Sequence, residues 1–206
     1  MGAFTAVGAA RTGYDWRRYT VSSLAIGRRG WLQRANFIVV GVLYVCAAGG
    51  IRSSFRRQVG PCAVPALVAG VGVGLIGSGL FVTDPVGGFP PGTAGEERSA
   101  NVIAARTSPT REGRLHNLFA IPIFAGIPIA GMTSAVAAVR YRDYGWACYS
   151  AGSSVAMVAS FVLFGRAFGN GSYLGGKDGV FQRLSILAGL AWLTGLSLRA
   201  ISAPTE

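Results

Sequence analysis

Charge is the property this sequence has least of for its length. Of 206 residues only 13% are Asp, Glu, Lys or Arg, and only 8 are acidic, whereas a soluble domain carries about 25% charged residues. Lys177 is the single lysine among 19 basic residues, His116 is the single histidine, and the cysteines are three: Cys46, Cys62 and Cys148. A catalytic zinc site normally takes three protein ligands, with more than one His or Cys among them. Here only His116 with Asp84, Glu96 or Glu97 could be recruited, and neither HExxH nor CxxC spacing occurs. No metal and no cofactor are therefore expected. The cysteines lie in or beside apolar stretches with no pairing pattern and read as small hydrophobes. There is no GxxxxGK[ST] phosphate loop, dinucleotide fingerprint or GxSxG elbow, which removes support for nucleotide-driven transport and ordinary α/β-hydrolase chemistry.

Hydrophobic residues make up 51% of the chain, and the mean hydropathy is +0.45. The few charges gather between long uncharged stretches, which is how membrane proteins are punctuated. Apolar runs cover 35–51, 62–83, 115–139, 145–165 and 180–200, each near the roughly 20 residues that cross a bilayer. A lipid-facing backbone must satisfy its own hydrogen bonds, and no ten-residue alternation of barrel type appears, so the runs are read as helices. The expected fold is all-α: a polytopic bundle of about five spans over 35–200, after an interfacial segment over 1–34. The first run is the shortest, and carrying it back to Leu32 would require Arg34 to snorkel. A long polar loop over 84–114 opens on a turn-rich stretch from Asp84 to Gly92 and carries Glu96, Glu97 and Arg98. No signal peptide is read, because Met1 to Ala10 lacks a basic start and its apolar run is short.

The formal net charge of +11 raises nucleic acid as a partner, since clustered basic residues neutralise phosphates. The distribution argues otherwise. Arg34, Arg52, Arg56, Arg57, Arg114, Arg140, Arg142, Arg166, Arg183 and Arg199 border apolar runs, where guanidinium groups can meet lipid headgroups. The expected partner is membrane lipid or another membrane protein, and no nucleic acid. Trp16, Tyr19 and Trp31, and then Tyr141, Tyr144, Trp146 and Tyr149, are read as interfacial anchors. The short Arg-dense turns at 52–61 and 140–144 point to the cytoplasm by the positive-inside rule, with a multi-pass topology in the cell membrane. The Ala, Gly and Arg bias with one lysine fits GC-rich coding and a bacterial source.

Small residues recur at every fourth position, at Ala66, Gly70, Gly74 and Ser78 and again at Gly126, Ala130, Ser134 and Ala138. Such stripes let helix backbones approach closely. Pro122 and Pro128 should kink the third span.

Counting spans supplies the functional clue. Each span reverses side, so the end of the second, the start of the third, the N-terminal segment and the loop with Asn170, Lys177 and Asp178 share one membrane face. Ser22, Asp84 and His116 meet there as a candidate nucleophile, orienting acid and base, since a carboxylate can fix the imidazole tautomer and a serine beside it would complete the set. The structural alternative is that Asp84 caps a turn before Pro85 while His116 has no partner. Asn170-Gly171-Ser172 matches a glycosylation sequon but is also a common turn.

The stretch from Val21 through Ser22, Ser23, Leu24, Arg28, Arg29, Gly30, Trp31 and Arg34 to Phe37 resembles the opening signature of the membrane family called domain of unknown function 998. So do Gly77 to Pro85, the Arg114-Leu115-His116 step and the closing Gln182-Arg183-Leu184. The resemblance runs from about Val21 to Arg199 and implies an integral membrane protein, with Ser22, Asp84 and His116 at polar positions on one face. It brings no established reaction. It also implies six helices with one span before the serine signature, whereas Met1 to Thr20 is too short and too polar to supply that span.

Three functions follow as expectations. The first is an accessory bundle that binds lipid or another membrane protein and tolerates His116→Ala. The second is a membrane-embedded hydrolase or transferase acting on a lipid or lipophilic small molecule, using Ser22, Asp84 and His116. The third is a small-molecule transporter, which would bury ionisable residues near mid-membrane; the apolar runs have essentially none at their centres.

Overall fold

Long runs of Val, Leu, Ile, Ala and Gly can satisfy their backbones without water only by coiling, and they do so here. The computed structural model describes residues 2–54, 62–85, 89–90, 109–169 and 176–202. A short helix, α1 (Gly2–Ala9), and a 3-10 turn (Ser22–Ala25) precede five long helices. These are α2 (Gly30–Ser54), α3 (Ala63–Leu80), α4 (Arg111–Arg140), α5 (Tyr144–Gly169) and α6 (Asp178–Ser202). Each of the five is long and apolar enough to cross a membrane, and the described residues contain no strand element. The all-α polytopic bundle read from the sequence is therefore the fold. Arg56 and Arg57, most of the 84–114 loop with Glu96, Glu97 and Arg98, and the Asn170-Gly171-Ser172 turn lie outside the described residues.

Helix ends differ from the apolar runs for local reasons. The first long helix begins at Gly30 and takes Trp31 and Arg34 into its opening turns. The second stops at Leu80, because Phe81 turns extended at φ −101° and ψ 131°. The third, α4, starts at Arg111 behind Thr110, whose hydroxyl accepts from the Gly113 N–H at 3.0 Å. That N-cap satisfies one of the orphan donors every helix start exposes. Pro122 and Pro128 both lie inside α4, which continues as helix past each.

Consecutive helices pack in order, α2 on α3, α3 on α4, α4 on α5 and α5 on α6, while α2 and α6 touch only slightly. The α2–α3 contact closes on a glycine pair. A Cβ at Gly72 would lie 2.6 Å from the Gly41 carbonyl oxygen, and one at Gly41 would meet the Gly72 carbonyl at 2.6 Å. The expected α3 stripe is partly displaced: Gly74 does face α4, where a Cβ would stand 2.6 Å from the Phe119 carbonyl, but a Cβ at Gly70 would meet nothing. Gly72 and Gly79, seven positions apart, face α2 instead. On α4 the stripe holds, with Gly126, Ala130, Ser134 and Ala138 all buried.

At the end of the bundle where α4 turns into α5, two tryptophans knit three helices. Trp146 donates to Ser134 Oγ at 2.8 Å and Trp192 to Ser150 Oγ at 3.0 Å. Their rings stack at 6.5 Å, and the Arg199 guanidinium covers Trp146 at 4.8 Å. Trp146 is only 8% exposed, so it is a core residue and not the interfacial anchor its position suggested. Trp16, Trp31, Tyr141, Tyr144 and Tyr149 are exposed.

Asp143, in the α4–α5 turn, accepts from the Trp146 N–H at 3.1 Å and pairs with Arg199 at 2.8 Å. The Trp146 hydrogen bond, aided by Arg199, holds its carboxyl below the ordinary value of 3.8. A depressed folded value means that the stabilisation is complete above 3.8 and disappears as pH falls through the folded value. The thermal stability of the wild type in detergent should therefore exceed that of Asp143→Asn near neutral pH, and the gap should close in strong acid. A gap independent of pH would show that the carboxylate charge contributes nothing. Gly72→Leu should lower stability by about 1–3 kcal/mol through overpacking, read as a lower unfolding temperature; an unchanged value would mean that α2 and α3 can separate freely.

A candidate ligand cavity at one membrane face

Backbone carbonyls at the N-terminal end of the molecule find their donors in side chains. Arg34, from α2, donates to the carbonyls of Gly79 at 3.0 Å and Leu80 at 3.2 Å, and the Phe81 carbonyl accepts from His116 Nδ1 at 3.0 Å. These are the last carbonyls of α3, which have no intrahelical partner. A cationic guanidinium there also complements the negative end of the helix dipole. Arg183, at the start of α6, donates to the carbonyls of Trp16 at 2.8 Å and Tyr19 at 3.0 Å and to the Tyr14 hydroxyl at 2.6 Å. Arg11 donates to the carbonyls of Ile26 at 2.7 Å and Leu24 at 3.1 Å. Gln182 Oε1 accepts from the Val21 N–H at 2.7 Å. Arg34 and Arg183 are thus tied to the protein backbone, where the sequence suggested lipid headgroups.

The N-terminal segment is consequently fastened across the bundle as a roof, with Phe4, Val21 and Leu24 forming a small buried cluster. Beneath it lies a partly open cavity of about 1110 Å³, slightly larger than the roughly 300–1,000 Å³ usual for ligand sites. The lining includes the hydroxyls of Thr20, Ser22, Ser23 and Ser78, the amides of Asn36, Asn117 and Gln182, and Asp84 and His116. All of these belong to the N-terminal segment, the end of α3 or the starts of α2, α4 and α6, so they share one end of the bundle. Farther along the helices the lining turns apolar, with Val71, Leu75, Phe124, Ile127, Met157 and Leu190, apart from Tyr44 and Ser154.

Counting spans placed Ser22, Asp84 and His116 on one face, and all three do border this cavity. Their hydrogen bonds, however, run elsewhere. Ser22 Oγ donates to Thr20 Oγ1 at 3.3 Å, and Thr20 Oγ1 shares a 2.8 Å hydrogen bond with Ser23. Asp84 accepts from the Thr110 N–H at 3.0 Å and the Thr110 hydroxyl at 2.6 Å, next to the positive end of α4. Its carboxylate fills the space a side chain at Gly113 would need. His116, 5% exposed, is oriented by the Phe81 carbonyl and not by Asp84. Asn36, Asn117, Ser78 and Gln182 also line the cavity, although the sequence placed Ser78 in a packing stripe and Gln182 in a signature and marked none of the four as a site residue. The available signal was polar side chains within the first or last turns of apolar helices. Among the described residues no three His, Cys, Asp or Glu side chains cluster as metal ligands would.

Five apolar helices around a cavity that is polar at one membrane face define a polytopic integral membrane protein. The chain belongs to the family described as "Protein of unknown function (DUF998)", whose profile matches residues 1–199. No curated protein and no solved structure matches the chain.

Because His116 donates to the part-buried Phe81 carbonyl, His116→Ala should destabilise the protein by about 1 kcal/mol, contrary to the tolerance expected from the sequence of a noncatalytic bundle, and Thr110→Ala, by loss of the cap, by about 1 kcal/mol. Thermal unfolding in detergent reads both. Wild-type stability for His116→Ala would mean that water caps Phe81 equally well.

Proposed function

We propose that this protein is a noncatalytic accessory protein of the cell membrane that holds a lipid or lipophilic small molecule in the cavity under its N-terminal segment. The supporting observation is the polarity gradient of the cavity wall, from hydroxyls and amides at the membrane face to aliphatic and aromatic side chains deeper in the bundle. An amphiphile matches such a gradient. Its hydrocarbon gains from contact with Val71, Leu75 and Phe124 while its polar end keeps hydrogen bonds. Entry fits the slight contact between α2 and α6, which leaves the helix ring weakly closed on that side.

A second reading is a membrane-embedded hydrolase or transferase acting on the same molecule, favoured by the common placement of Ser22, Asp84 and His116 on the cavity wall. Each of the three already serves a backbone or side-chain partner, which is why binding is preferred. Transport has less support, since below the mouth only Tyr44 and Ser154 interrupt the apolar lining.

The test is native mass spectrometry of the protein extracted from its membrane. A bound lipid should be retained by the wild type and lost from Ala120→Trp, which places an indole in the cavity. Retention by both would overturn a cavity site, and recovery of cleaved lipid would favour the enzyme.

A further inference from the structure

Hydroxyls in apolar helices often bond back to the carbonyl one turn earlier, and four here do. Thr133 donates to Ile129, Ser154 to Ser150, Thr194 to Leu190 and Ser197 to Leu193, at 2.8–2.9 Å. Ser78 is different. It lies in the last turn of α3, is 2% exposed and forms part of the cavity wall, yet among the described residues its Oγ has no hydrogen-bond partner. A buried hydroxyl left unpaired costs free energy that a ligand group could recover. Asn36 and Asn117 border the same mouth, and among the described residues no hydrogen bond engages their side-chain amides.

The charge around these groups narrows the ligand further. Among the described residues no Arg or Lys lines the cavity, although the protein is rich in arginine. The nearby guanidinium groups of Arg11, Arg34 and Arg183 are committed to backbone carbonyls. On the described wall a phosphate or carboxylate head would therefore meet the Asp84 carboxylate and no cation, at a desolvation cost those residues do not offset. An ammonium head would have to compete for Asp84 with its two hydrogen bonds from Thr110 and with the positive end of α4.

We infer that the cavity selects an uncharged amphiphile, whose hydroxyl- or carbonyl-bearing head hydrogen-bonds to Ser78 with Asn36 and Asn117 around it, and whose hydrocarbon fills the apolar part. This rests on the amphiphile reading above and specifies its ligand class. Phospholipids are excluded as the cognate occupant, and acylglycerols or long-chain alcohols are the fitting chemistry.

Equilibrium binding of a radiolabelled monoacylglycerol to the full chain in detergent tests it, with chain-matched alkyl phosphate, fatty carboxylate and alkylammonium as competitors. The monoacylglycerol should bind at least tenfold more tightly than any charged competitor. Ser78→Ala should weaken it about fivefold, the loss of one hydrogen bond, without changing binding of the carboxylate. Ala120→Trp should abolish it. A charged competitor that binds as tightly or more tightly overturns the headgroup assignment and leaves amphiphile binding standing. Unchanged affinity in Ser78→Ala overturns the placement of the head. Absence of saturable binding by every probe, or binding undiminished in Ala120→Trp, overturns the cavity reading itself.

Discussion

A helix that ends near a membrane surface exposes carbonyls its own backbone cannot satisfy, in surroundings where water is scarce, and much of this molecule is arranged around supplying donors to them. Arg34 and His116 serve the end of α3, Arg11 serves the 3-10 turn and the residue after it, and Arg183 serves the N-terminal segment. Each donor comes from a different element than its acceptor. The caps therefore do two things together: they pair polar groups that would be costly to leave unmade, and they fix where α2, α4, α6 and the N-terminal segment stand relative to the end of α3.

The cavity follows from that arrangement. Because the N-terminal segment is held over the bundle by Gln182 and Arg183, hydroxyls at Thr20, Ser22 and Ser23 become part of the cavity wall. Because Arg11, Arg34 and Arg183 are engaged with carbonyls, the described part of the mouth is lined by amides, hydroxyls, one acid and one imidazole, not by guanidinium groups. Structure and ligand chemistry are linked at this point, since the residues that stabilise the roof are the ones withdrawn from headgroup recognition.

The opposite end of the bundle uses different chemistry. Trp146, Trp192, Ser134 and Ser150 interlock α4, α5 and α6 through two indole–hydroxyl bonds, and Asp143 with Arg199 secures the turn outside them. Side chains fill that end while the other encloses space, and the Gly41–Gly72 contact joins α2 to α3 midway between them.

By itself the sequence determined the class of protein: five apolar runs of bilayer length separated by arginine allow only helices, and counting their reversals puts Ser22, Asp84 and His116 on one face. These features are local or additive along the chain, so no three-dimensional information is needed to read them. The small-residue stripe on α4 was legible for the same reason, being periodic. Only the tertiary structure decided the partners. That Arg34 and Arg183 bind carbonyls, that Trp146 is buried, that Asp84 belongs to Thr110 and His116 to Phe81, and that Ser78 stands unpaired on a cavity wall are all relations between elements distant in sequence. A hydrogen bond depends on distances of a few tenths of an ångström. Hydrophobic periodicity specifies which face of a helix turns inward, but not which group on the next helix it will meet.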